Sequence, residues 1–99
     1  MIIDLNSKIY SKKEIFLFGA HIFSQFLIQF GLDVENIVSI LDNSPLKQNK
    51  RLYGTKLNVS SPSCLKNYKS PVVILKAGIY NEEIKKDILE NINSNTIFI

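Results

Sequence analysis

The segment Phe18-Gly19-Ala20-His21-Ile22-Phe23-Ser24 is the first place in this 99-residue chain where residue types and spacing suit chemistry. It joins the continuous apolar run Ile15-Phe16-Leu17-Phe18 to a stretch with helical apolar spacing. Backbone N–H groups at the start of a helix attract anions, so Gly19, Ala20 and His21 are candidates for holding a phosphate. A dinucleotide fingerprint asks for glycine three times, as G-x-G-x-x-G. Gly19 fills the first of those places, while His21 and Ser24 stand at the second and third. Asp42, 23 residues after Gly19, falls near the place of a ribose-binding acid. A nicotinamide or coenzyme A binder is thus one alternative reading of this turn.

The second group of candidates is basic. Five acids and three lysines give residues 1–42 a net charge of −2, and residues 82–99 also carry −2. Between them, residues 43–81 contain no acid and seven cations: Lys47, Lys50, Arg51, Lys56, Lys66, Lys69 and Lys76. A one-sign block in a folded domain invites an anionic partner, the plainer alternative being a solvated lysine face. Lys76 closes an apolar run and can reach a phosphate. A nucleic-acid platform needs aromatic residues interleaved with the cations, and only Tyr53 and Tyr68 meet that condition, so nucleic acid is disfavoured. His21 is the only histidine and Cys64 the only cysteine. That excludes a disulfide within the chain and a multi-cysteine zinc site. No metal, nucleophile elbow, P-loop or HExxH motif is read, and no catalytic residue is assigned.

These residues need a scaffold. Ile15–Phe18, Ile37–Leu41 and Val72–Leu75 read as buried strands, Thr96–Ile99 as a last short strand, and Leu57–Val59 as a short edge strand. Ala20–Phe30 carries a helical stripe, with Gly31 placed as a C-cap glycine. Ser61-Pro62 opens a short helix through Tyr68, and Asn81 is expected to cap another whose stripe is Ile84, Ile88, Leu89 and Ile92. The expectation is one Rossmann-like α/β domain over residues 1–99, a three-layer sandwich on a mostly parallel sheet of about four strands, in the order 2-1-3-4. Residues 1–13 form a leading helix or arm. That order puts a ligand crevice at the carboxyl ends of the first and third strands, between Gly19-Ala20-His21 and Lys76-Ala77-Gly78.

Hydrophobic residues make up 45% and charged residues 21%, which argues against disorder. Apolar runs of four or five residues are far short of a membrane span of about 20. No leader is read at Met1-Ile2-Ile3-Asp4, so no membrane partner is expected and the expected location is cytoplasmic.

Residues Asp42-Asn43-Ser44-Pro45-Leu46-Lys47-Gln48-Asn49-Lys50-Arg51-Leu52-Tyr53-Gly54-Thr55 resemble the D-[ND]-x-P-x-K-x-G-x-x-x-P-G-T-like loop in the C-terminal domain of sugar C-methyltransferases. The preceding strand, the Phe-Gly-Ala turn and the later Ser61-Pro62 fit the same pattern over roughly residues 14–92. Asn49 stands where the family often has glycine, and Tyr53 where it often has proline. The resemblance implies an accessory domain that helps hold a nucleotide-linked sugar, with Lys47, Lys50 and Arg51 steering or neutralising a diphosphate and Asp42 or Asn43 hydrogen-bonding a hydroxyl. S-adenosylmethionine and the catalytic acid–base residues would belong to a separate methyltransferase domain or subunit. A non-catalytic interaction module with the basic loop as its contact is the other alternative. The turn and loop are also similar in outline to the N-terminal domains of sugar acyltransferases, which bind the same ligand class.

Overall fold

The computed structural model describes residues 2–9, 14–19, 22–29, 31–32, 34–35, 37–52 and 56–99. Helix α1 (Ile2–Ile9) leads into β1 (Ile15–Phe18), α2 (Ile22–Gln29) and β2 (Ile37–Leu41). There follow β3 (Val59–Ser60), a 3₁₀ helix (Pro62–Asn67), β4 (Val72–Ile74), a 3₁₀ turn (Gly78–Tyr80), α3 (Asn81–Asn91) and β5 (Ile97–Phe98). The sheet has five strands rather than about four, in the order β3-β2-β1-β4-β5, with every pair parallel. The fifth is the edge strand read from Leu57–Val59, displaced to Val59–Ser60, and the expected order of the other four holds.

Alternation along the strands sorts the core onto two faces. Ile15 and Leu17 of β1, with Val72 and Ile74 of β4, pack with Leu27 and Ile28 of α2. Phe16 and Val73 face the other way, onto Leu65 of the 3₁₀ helix, Ile84 and Ile88 of α3, and Ile92 just past its end. Phe16 is fully buried and meets Tyr68 edge-on, with ring centroids 5.1 Å apart. A register shift between Ile15 and Phe16 sets Ile15 opposite Ile37 but Phe16 opposite Ser39. Val38 is the extra residue and stands 46% exposed inside an otherwise buried strand.

Helix ends explain where the chain turns. Gly31 takes φ 111°, open to glycine at little cost, and its N–H donates to Ile28 O while that of Leu32 donates to Leu27 O. This is a Schellman closure with its Leu27–Leu32 apolar contact. Asn6 Nδ2 of α1 donates to Gly31 O at 2.9 Å. The Ser61-Pro62 start behaves as expected, Ser61 Oγ accepting from Ser63 N–H at 3.3 Å. Asn81 does not cap α3. Tyr80 precedes the first helical residue without a side-chain bond, and Asn81 Oδ1 accepts from Ala77 N–H at 2.7 Å instead, one turn back. The 3₁₀ turn fills the place where the cap was expected. At the far end, Asn93 Nδ2 donates to Leu65 O and Tyr68 O, tying the end of α3 to the 3₁₀ helix beside it.

Candidate functional site

Strand register fixes what meets at the carboxyl edge of the sheet. Phe18 pairs with Leu41 and Leu17 with Ile74. Continued past the strand ends, this sets Gly19 between Asp42 on one side and Lys76 on the other. The Gly19 N–H donates to Leu41 O at 2.6 Å, keeping the edge in register one residue beyond β1. Strands spaced about 4.8 Å apart put the Asp42 and Lys76 backbones about 10 Å apart, so the two groups flank Gly19 from opposite sides. Three of the residues read from the sequence therefore follow the ends of adjacent strands at one edge of the sheet. Ala20 and His21 lie outside the described residues.

The turn itself is held from behind. Gly19 has φ 104° and is buried, and the buried Ser24 hydroxyl donates to its carbonyl oxygen. Ser24 is the residue at the place of the third fingerprint glycine, so a side chain closes this turn where a dinucleotide site has none.

Asp42 organises the loop that follows it. Its Oδ1 accepts from Ser44 N–H at 2.8 Å, and its carbonyl oxygen accepts from Gln48 Nε2 at 2.8 Å. Lys47 Nζ stands 3.9 Å from its Oδ2, and its N–H donates to Ser60 O. The first turn of the loop closes as the Lys47 and Gln48 N–H groups donate to Ser44 O. Asn49 then takes φ 64°, and its N–H donates to Val59 O while that of Val59 donates to Lys50 O. Arg51 forms an antiparallel bridge with Asn58. The loop thus folds back along β3, which puts Lys50 and Arg51 over the far edge of the sheet, two strands from Gly19. The sequence groups them with Lys76, and the fold does not. Asparagine is among the few side-chain-bearing residues that adopt this left-handed φ readily, as a glycine at the same place would.

A second feature was not anticipated. An open groove of about 550 Å³ runs along one side of α3, with Asn43 opposite. Tyr80 and Ile84 are its apolar lining, and Glu83, Asp87 and Glu90 outnumber Lys86. The 3-4-3 spacing of Tyr80, Glu83, Asp87 and Glu90 places them on one helix face, a pattern visible in the sequence once α3 is known to start at Asn81. Of the residues read as site candidates, Asn43 alone lines this groove, and its acidic lining does not suit a phosphate. Beside it the 3₁₀ turn leaves Ile79 90% and Tyr80 59% exposed. Gly78 at φ 63° makes that turn possible, and a Cβ there would meet nothing within 4 Å.

Cys64 is half-buried in the 3₁₀ helix, and burial pushes its thiol pKa above the ordinary value. Among the described residues no group of three or more His, Cys, Asp or Glu is gathered to hold a metal ion. No helix among them is long and apolar enough to cross a membrane.

A parallel sheet covered on both faces, whose strand order reverses between β1 and β4, defines an α/β domain. The chain belongs to the C-methyltransferase C-terminal domain family, whose model matches residues 2–99. No curated protein and no solved structure matches it.

Proposed function

We propose that this chain is an accessory domain of an S-adenosylmethionine-dependent sugar C-methyltransferase, and that it helps hold a nucleotide-linked sugar at the carboxyl edge of the sheet. The reading is carried by the placement of Gly19 between Asp42 and Lys76 at the topological switch between β1 and β4. Lys76 supplies a cation for the diphosphate, the turn beginning at Gly19 supplies backbone N–H groups from Ala20 and His21, and Asp42 or Asn43 accepts from a sugar hydroxyl. Lys47, Lys50 and Arg51 act at longer range, raising the local concentration of an anionic ligand. S-adenosylmethionine and the reacting groups belong to the catalytic methyltransferase partner, so binding by this chain alone is weak.

Amide NMR of the chain titrated with nucleoside-diphosphate sugars tests this. Shifts are expected at Gly19, Asp42 and Lys76, and Lys76→Ala should weaken binding about tenfold, as loss of one charge-assisted phosphate contact does. No shift at those amides with any such ligand overturns the reading.

A second reading, a module that docks onto the catalytic subunit without touching the sugar, is favoured by the exposure of Ile79 and Tyr80. Ile79→Asp would then abolish co-purification with the catalytic subunit while leaving ligand-induced shifts, if any, unchanged.

A further inference from the structure

We propose that the chain pairs with a second copy of itself about a two-fold axis, the Pro45–Arg51 loop of each copy lying in the α3 groove of the other. The two surfaces complement each other in charge and in polarity. The loop presents Leu46, 79% exposed, with Lys47, Lys50 and Arg51 exposed beside it and no acid for the whole of residues 43–81. The groove presents Tyr80 and Ile84 together with Glu83, Asp87 and Glu90.

A loop cannot fill the groove of its own chain. The Asn49–Val59 and Lys50–Val59 hydrogen bonds and the Arg51–Asn58 bridge commit it to the edge of β3. Both features nevertheless meet at Asn43, which lines the groove and begins the loop. Leu46 is three residues further on, at most about 11 Å of chain from Asn43. In the proposed pair, a half-turn about an axis beside Asn43 would carry each loop to the partner's groove and make both contacts at once. Such a contact is isologous and closes at two copies, with no growth into filaments.

The loop cations and Asn43 are also used by the ligand reading, but the test of this inference contains no ligand, so its failure is distinguishable from failure of that reading. Sedimentation velocity of the full chain from micromolar to millimolar concentration should show a reversible dimer. Raising salt should weaken it, since the screening length falls from about 10 Å at 0.1 M to about 3 Å at 1 M. The loop variant Lys50→Glu/Arg51→Glu and the groove variant Glu83→Lys/Asp87→Lys each put like charges on both surfaces, and each should weaken self-association at least about tenfold. Mixed one to one, the two variants should pair with each other, because every contact in the mixed dimer joins opposite charges. Lys66→Glu/Lys69→Glu, also exposed but outside the contact, should leave the dimer unchanged. A monomer at every concentration, a dimer indifferent to the loop and groove reversals, a mixture that stays monomeric, or equal loss in the Lys66/Lys69 control would each overturn the proposal.

Discussion

Two connections leave the carboxyl edge of the same sheet and are built in opposite ways. The one after β2 is closed on itself: Asp42 holds Ser44, Gln48 and Lys47, and Asn49 turns the chain back onto β3. The one after β4 is presented outward: Asn81 holds Ala77, Gly78 takes a left-handed φ, and Ile79 and Tyr80 stand in solvent. The first spends polar side chains on its own backbone and keeps a long loop in one shape. The second places apolar side chains where they contribute little to folding. The difference separates a segment whose backbone is fixed by its own side chains from one whose apolar side chains are left in solvent.

Substitution can break that contrast most strongly at Asn49. Asn49→Val puts a β-branched residue at φ 64° and should cost about 2 kcal/mol or more in urea denaturation, because left-handed backbone alone costs roughly 1–2 kcal/mol. Asn49→Gly should be near neutral, and a large loss there would refute the backbone account. Asp42→Ala comes next, at about 1–2 kcal/mol, with faster hydrogen exchange at the Ser44 amide, since it removes that amide's carboxylate acceptor. In the outward turn, Asn81→Ala should cost about 1 kcal/mol for the single bond to Ala77, and Ile79→Ser should stay within about 0.5 kcal/mol. A clear destabilisation by Ile79→Ser would mean that the turn is packed after all.

The smallest effect is expected at Cys64. Its folded pKa lies above the unfolded value because burial disfavours the thiolate. The stability tied to it is therefore fully present below the ordinary thiol range and is lost as pH rises through the folded pKa. Cys64→Ser should flatten the alkaline limb of a stability–pH profile, and alkylation at mildly alkaline pH should be slow.

How much of this was legible in the sequence depends on the distance over which each feature is decided. The central strands were legible because Ile15–Phe18 and Val72–Leu75 are apolar on both faces, as strands of a covered parallel sheet are. Gly19, Asp42 and Lys76 then followed as strand ends. The extra residue at Val38 was hidden, because it comes from register against β1 and not from local pattern. The true position of Lys50 and Arg51 was hidden too: it depends on the reversal at Asn49, read first only as a departure from glycine. The Asn81 cap was misplaced for a related reason. An asparagine before two glutamates has the composition of a helix start, but Gly78 begins the turn three residues earlier.

The central position of β1 also has a temporal consequence. It pairs with β2 across a short interval, Ile15 with Ile37, and with β4 across a long one, Ile15 with Val72. Closing the longer loop is the slower event, because chain entropy is lost before the distant contact repays it. β1, α2 and β2 can form a nucleus early, leaving one side of β1 open until residue 72 arrives. Gly19 is bonded to Leu41 in that nucleus and gains its β4 side only when the sheet is complete. A ligand that bridges Gly19 and Lys76 would bind the finished chain and not its intermediate, and would slow unfolding by holding shut the last seam to close.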